Sequence, residues 1–513
     1  MIRRLSFLQV RFSSALETKR CLSTPFLKLG HSNGSAKLYT NIKAHKESYV
    51  NVPSNYSELA ESSKCISLRL SKNSNGEYLQ REIIEYLKPY IKKTVGTVRK
   101  ENKSQSLVIF ATPAHVAWLE HDSVRKYLIE LFKDHSHAIP LIVDVICACV
   151  DGLPPSGEEL RLGKRNGFYE GVSMYWDAST PDLWPLSPSL IARIDDKCSF
   201  TFHYNNCNDK YSYQVTMPLA NTIFENGRRS TLTVAKWQIS QDDVRLIEGP
   251  IYRVNASVYA SSPNKFCSLQ IPVRSLTPLR TIENGFGNIV RRLKIEGQGS
   301  FPASHELERA VTKAYQEHTP GSDQGVWALI IPSKLLDEKN NYRGINKNSN
   351  GYQELDACYI EDLIREGAKI CRVLSGGGGW GVKEGLLALD PISVFDESND
   401  SQYETMTKDI SNQVDQQAIN LGNMAQRGAL IQFLQKSERP ELSSFPMRTN
   451  LRGIETVVGS LKTESCTLTS DQGLCHLFIP GLFGCVSESG MFLRSLGVSS
   501  TKIDVPSSYI YAE

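Results

Sequence analysis

The sequence contains no apolar run long enough to cross a bilayer. Its most apolar stretch, residues 138–150, spans 13 residues and carries Pro140 and Asp144, whereas a spanning helix needs ~20 apolar residues. A large excess of one charge is also lacking. The 58 basic residues face 55 acidic ones, a net +3, so the whole chain offers no electrostatic argument for nucleic acid or an anionic membrane. The 12 cysteines are scattered without a single CxxC pair, which removes the disulfide-scaffold class and the usual paired spacing of a structural zinc site. What is left is His135, His137, Cys147 and Cys149, a four-ligand set set against the commoner use of cysteine as a small buried hydrophobe. Catalytic signatures are incomplete too. His305-Glu306 opens an HExxH pattern, but Arg309 stands where the second ligand belongs, and no GxSxG elbow occurs. With 40% hydrophobic and 22% charged residues, the chain has ordinary globular composition.

What is present begins with the first forty residues. Residues 1–22 hold Arg3, Arg4, Arg11, Lys19 and Arg20 against one acid, Glu17, a net +4; adding Lys28 and Lys37 brings residues 1–40 to +6. Ile2, Leu5, Leu8 and Phe12 recur at helical spacing with the arginines displaced to the other side. A basic, Ser-rich, acid-poor amphipathic helix describes an organelle presequence, and its charge suits an inside-negative membrane potential. Arg20-Cys21-Leu22 before Ser23 resembles a mitochondrial processing site, as does Arg11-Phe12 before Ser13. We therefore expect a presequence over residues 1–22, or as far as 40, and a mature protein in the mitochondrial matrix. Cleavage after residue 22 leaves a net −1 and removal of all forty a net −3, which speaks against broad nucleic-acid binding.

Beyond a polar lead-in at 41–62, the pattern predicts a mixed α/β and α+β fold. The apolar run at 106–111, the helical spacing over 122–135 and the apolar run at 139–150 read as a βαβ unit. Segments 171–176, 211–217, 230–237, 252–260 and 268–273 read as strands, so the region 63–335 continues from α/β into a β-rich part. A helix is expected over 304–316. The polar stretch 337–353 reads as a linker, and 354–513 as a mixed C-terminal region. Within it, Tyr359–Leu374 is helical in spacing and 406–436 reads as a long, weakly amphipathic helical tract.

The most distinctive local feature is the glycine loop 375–385: Ser375, Gly376, Gly377, Gly378, Gly379, Trp380, Gly381, then Lys383. Consecutive glycines expose backbone N–H groups and tolerate positive φ, as an anion-binding nest requires, and Lys383 adds a positive charge. The P-loop pattern is not met, because Lys383 is displaced and Glu384 stands where a hydroxyl is needed. A dinucleotide fingerprint also fails on context, since the run follows a helix-like segment and leads into a strand-like one. A helix C-cap and tight connection, in which glycine lets backbone pass close to another element and Trp380 packs as a plug, is the commoner use of such a run. The string SGGGGWG at 375–381, with Lys383, Gly385-Leu386-Leu387 and Leu389-Asp390-Pro391, resembles a family of fungal mitochondrial proteins to which no activity is assigned. That resemblance implies a mitochondrial location and no catalytic residue. Residues 107–116, the helix after them and the segment near 140–150 resemble the start of FIST sensory domains, which implies an α/β small-ligand sensor.

Three functions follow as expectations. The first is a non-enzymatic accessory or interaction protein of mitochondria with a protein partner. The second is a sensor or enzyme for a small anion, nucleotide or metabolite at Ser375–Gly381 and Lys383. The third is an RNA-associated factor in mitochondrial gene expression.

Overall fold

A computed structural model describes residues 64–70, 105–132, 140–176, 183–205, 212–259, 267–317, 325–335, 357–376, 385–395, 424–437, 455–467 and 476–512, with short breaks inside these ranges, and parts of 81–88. The chain divides into residues 1–47 and residues 48–513, and the elements of the fold belong to the second.

Strand 105–111 is the centre of the arrangement. Its side chains alternate between two cores, Val108 and Phe110 on one face and Leu107, Ile109 and Ala111 on the other. A strand covered on both faces must be apolar throughout, which is why QSLVIFA shows no polar alternation. It lies in a seven-stranded sheet ordered Val244–Tyr252, Leu232–Ile239, Leu141–Cys149, Gln105–Ala111, Gly171–Trp176, Cys65–Leu70, His476–Pro480. Helix α1, His121–Phe132, covers one face with Val124, Tyr127, Leu128, Leu131 and Phe132.

The opposite face meets two further sheets. One runs Asn255–Tyr259, Ser199–Asn205, Ser212–Pro218, Met491–Ser495, Thr501–Ile503; the other runs Cys267–Gln270, Tyr509–Ala512, Glu455–Ser460, Leu482–Ser487. Phe110 is the shared contact, 4.7 Å from Phe483 in a stacked geometry and 4.8 Å from Phe200 edge-on.

The remaining strands close on themselves. Arg280–Phe286 (β1), Ile289–Ile295 (β2), Val326–Ile331 (β3), Lys369–Gly376 (β4), Leu387–Leu389 (β5) and Leu430–Lys436 (β6) form a ring in the order β1-β2-β5-β4-β3-β6-β1, antiparallel throughout. Ring closure satisfies every edge of the ladder. Ile282, Val290, Leu293, Ala328, Ile330, Cys371, Leu387, Leu389, Ile431 and Phe433 fill the interior, so this small barrel is a packed core. Helix α2, Ala303–Glu317, lies against it through Ala303 and Leu307.

The expected mixed α/β and α+β class is thus corrected: the described residues are mostly β, 54% strand against 21% helix, with a closed six-stranded barrel. The expectation generalised from one segment. Strands 105–111 and 141–149 do pair in parallel on either side of α1, because a helical crossover returns the chain in the same direction. Every other pairing in that sheet is antiparallel. Two helical readings also give way. Tyr359–Leu374 divides into helix Ala357–Glu366 and strand β4, with Gly367 at φ 113° between them. Of 406–436, the part 430–436 is strand β6, and residues 406–423 lie outside the described residues.

A polar clasp ties the N-terminal strand to the loop after Val150. Ser156 and Glu159 form a reciprocal capping box, Ser156 N–H donating to Glu159 Oε2 at 2.9 Å and Glu159 N–H to Ser156 Oγ at 3.3 Å. The same carboxylate takes both terminal nitrogens of Arg69, at 2.8 and 2.6 Å, and the Tyr169 hydroxyl at 2.6 Å. Arg69 also stacks 3.4 Å over the Tyr169 ring. Burial alone would raise the Glu159 carboxyl, but Arg69, Tyr169 and the Ser156 N–H hold it down at about 2. As pH falls, the unfolded carboxyl, near 4.5, takes up a proton first. The clasp therefore contributes fully above pH 4.5 and is lost as pH falls towards 2. Glu159→Gln is expected to destabilise at neutral pH by ~3 kcal/mol, since Arg69 is left buried without its counter-charge. Urea unfolding should show this gap from wild type shrink between pH 4.5 and pH 2.

Candidate functional site

The glycine loop joins two neighbouring strands of the barrel. β4 and β5 pair antiparallel, with Ser375 opposite Ala388 and Gly376 opposite Leu387. Ser375 and Gly376 end β4 and are exposed; Gly377, Gly378, Gly379, Trp380, Gly381 and Lys383 lie outside the described residues. The run therefore follows a strand, where the sequence pattern predicted a helix, and it is followed by another strand. Among the described residues, the next element after it is that strand, whereas a dinucleotide fingerprint opens a helix.

The two ends of the loop use glycine for different reasons. Gly385 has φ +82°, and a Cβ there would sit 2.7 Å from Pro302 Cβ, so both conformation and space require glycine. Gly376 is not in the left-handed region. A Cβ at 376 would meet Leu387 Cδ1 at 3.1 Å and Ser304 Cβ at 3.7 Å. Between these ends sits the first turn of α2, where Ser304 N–H donates to Gly385 O at 3.2 Å. Glu306, in the same turn, is paired with Arg280 at 2.8 Å.

On the outer side of α2, Phe301, His305, Glu308, Arg309, Thr312 and Gln316 line part of an open groove of about 530 Å³. The Arg309 guanidinium lies 4.2 Å over the Phe301 ring. The spacing of His305, Arg309, Thr312 and Gln316 follows from helical periodicity. That α2 meets the glycine loop does not: Ser304 and Gly376 are 72 positions apart in sequence, and only barrel closure brings them together.

Burial explains the cysteines at 65, 147, 149, 198, 371 and 485. Cys147 and Cys149 share one strand face and pack in the core beneath α1; burial pushes the Cys147 thiol up to about 12 and also holds Cys149 well above its usual range, with Asp151, Glu225 and Glu170 adding to it. Cys371, inside the barrel 3.6 Å from Met424 Sδ, is likewise pushed up to about 12 by burial. High thiol pKa values disfavour the nucleophilic thiolate. His135 and His137 lie outside the described residues, and no group of three or more His, Cys, Asp or Glu among the described residues is placed to hold a metal. Burial also holds the His115 imidazole down at about 4, which keeps it neutral at physiological pH.

A surface feature escaped the sequence reading. Residues 221–230 form a tight turn whose four-residue helix Ile223–Asn226 ends at Gly227 in the left-handed conformation. Phe224, at its tip, is 96% exposed, and Ile191, Ile194 and Ile223 are about half exposed. The turn is braced throughout. Asn221 Oδ1 accepts from Ile223 N–H, Asn226 Oδ1 accepts from Arg228 N–H, Asn226 Nδ2 donates to Thr231 Oγ1 and Thr222 Oγ1 donates to Arg228 O. Arg229 N–H donates to Ile194 O at 2.9 Å, which joins the tip to the loop bearing Ile191 and Ile194. The available signal was Ile223-Phe224 one residue before Asn226-Gly227, two large apolar residues inside a turn sequence.

Comparisons with protein-family models, with curated proteins and with solved structures returned no match.

The two glycines give a direct contrast. Gly385→Ala is expected to destabilise by ~1–3 kcal/mol, from a left-handed backbone and the Pro302 clash. Gly376→Ala should unfold within a degree or two of wild type in a thermal melt, because only the flexible end of Leu387 has to move.

Proposed function

We propose that the protein acts in the mitochondrial matrix as a non-enzymatic accessory protein that engages a protein partner. The basic, acid-poor segment 1–22 supports the address. The observation that carries the partner is Phe224, 96% exposed on a turn already locked by side-chain hydrogen bonds. Aromatic anchors dominate protein interfaces, and an anchor held rigid before contact loses little conformational entropy on binding. The charges around the tip are mixed: Arg193, Arg229 and Lys197 alternate with Asp195, Asp196 and Glu225. That balance suits the polar rim of a protein interface better than an anionic membrane.

Two measurements test this reading. Residues 1–40 fused to a reporter should enter mitochondria and be shortened there, and replacing Arg3, Arg4 and Arg11 with Asp should leave the reporter outside. A photo-crosslinking residue at 224, in protein isolated from its own cells, should yield a discrete protein adduct that the same residue at exposed Asp122 does not. Phe224→Asp should abolish recovery of that adduct's partner while leaving the melting temperature unchanged. Matching adduct patterns at 224 and 122 would refute the contact.

A further inference from the structure

Arg69 and Arg253 are buried to the same degree, each 5% exposed, but their charges are treated differently. Arg69 gives both terminal nitrogens to the Glu159 carboxylate. Arg253 forms no ion pair among the described residues, and its one side-chain hydrogen bond runs from Nη1 to the backbone oxygen of Leu183 at 3.3 Å. Its Nε is sealed from solvent and has no partner. Nη2 has no partner either, but it is not sealed. Burial lowers the Arg253 pKa, yet a guanidinium keeps its proton in proteins. A full positive charge therefore stands here without an opposite one, which is strongly unfavourable away from water.

The backbone fixes its position. Arg253 directly follows the edge strand Val244–Tyr252 and bridges Ile191, and its N–H donates to Leu232 O at 2.9 Å. Trp184 Nε1 donates to Asp144 Oδ1 at 2.9 Å, which holds the segment carrying the Leu183 carbonyl. That carbonyl occupies Nη1. Nε–H and the adjacent Nη2–H remain as two parallel donors, an edge that matches a planar carboxylate. Arg228 also reaches this loop, but its Nη2 donates to the carbonyls of Ala192 and Arg193 at 3.2 and 3.0 Å, and its guanidinium stacks over the Tyr252 ring. One uncompensated buried charge suits one carboxylate better than a phosphate dianion.

We infer that Arg253 anchors a binding site for the carboxylate group of a small molecule, entered through the opening at Nη2. A carboxylate oxygen accepts from Nη2 and shares the neighbouring Nε–H, and its charge balances the guanidinium. The site goes beyond the Phe224 contact and does not rest on it.

The purified full chain is titrated with acetate, butyrate and inorganic phosphate at constant ionic strength, with binding read by ligand-observed NMR and by thermal unfolding. Wild type should bind the carboxylates, melt higher in their presence and bind phosphate more weakly. Arg253→Lys, which keeps the charge and loses the paired donors, should lose at least tenfold in affinity, and Arg253→Met should not bind. In arginine-labelled protein, the Nε–H resonance missing from Arg253→Lys should move downfield when acetate is added to wild type. Without ligand, Arg253→Met should melt no lower than wild type, since it removes an unpaired buried charge. Arg253→Lys keeps the test decisive if Arg253→Met misfolds. Absence of carboxylate binding to wild type, equal binding by wild type and either variant, or tighter binding of phosphate would each overturn the assignment.

Discussion

Phe110 is the contact on which the packing of three sheets depends. It projects from the middle of a strand buried on both faces and meets Phe483 from one sheet and Phe200 and Phe202 from another. Tyr175, on the adjacent strand, adds its ring to Phe483 at 5.2 Å. These residues come from four segments separated by up to hundreds of positions, so the cluster is formed only when the whole second unit is folded. Aromatic rings supply large buried area with defined geometry, and their offset and edge-on arrangement fixes how the sheets sit on one another.

The barrel solves a different problem. Six short strands would leave exposed ladder edges as an open sheet, and closure removes them. The barrel's interior is then filled by aliphatic side chains, Cys371 and Phe433, which leaves its rim for polar groups. The rim is where α2 begins, where the glycine loop starts and ends, and where Ser304 sits. The Phe224 turn belongs to a different region and a different logic. There, polar side chains spend their hydrogen bonds on holding a loop in shape, and the apolar residues they support are left facing water.

Local features were legible where local chemistry decides them. Strand 105–111 announced itself by an unbroken apolar run, helix α1 by its 3.6-residue spacing, and several middle strands by β-branched and aromatic alternation. The Ser156–Glu159 capping box is visible as S-x-x-E. The failures share one cause. Ile360, Leu363, Ile364, Cys371 and Leu374 fit a helical period over sixteen residues, but Gly367 interrupts it, and a short apolar run fits helix or strand equally well. Leu430–Lys436 was absorbed into a helical tract because nothing in seven residues shows that they close a barrel. The α/β reading likewise took one true crossover as the rule for a domain, while the direction of every other strand depended on pairings remote in sequence.

By itself the sequence determined the basic, acid-poor character of residues 1–40, the absence of an apolar span, the positions of the strongly periodic elements and the unusual glycine run. These follow from composition and from neighbours within a turn or two of backbone. Tertiary structure decided that β6 pairs with both β1 and β3, that the ends of the glycine run straddle the first turn of α2, and that Phe224 stays in water while Phe110 is buried. Each of these rests on which surfaces meet. Such meetings are set by the burial of apolar area across the whole fold, and no local window of residues contains that information.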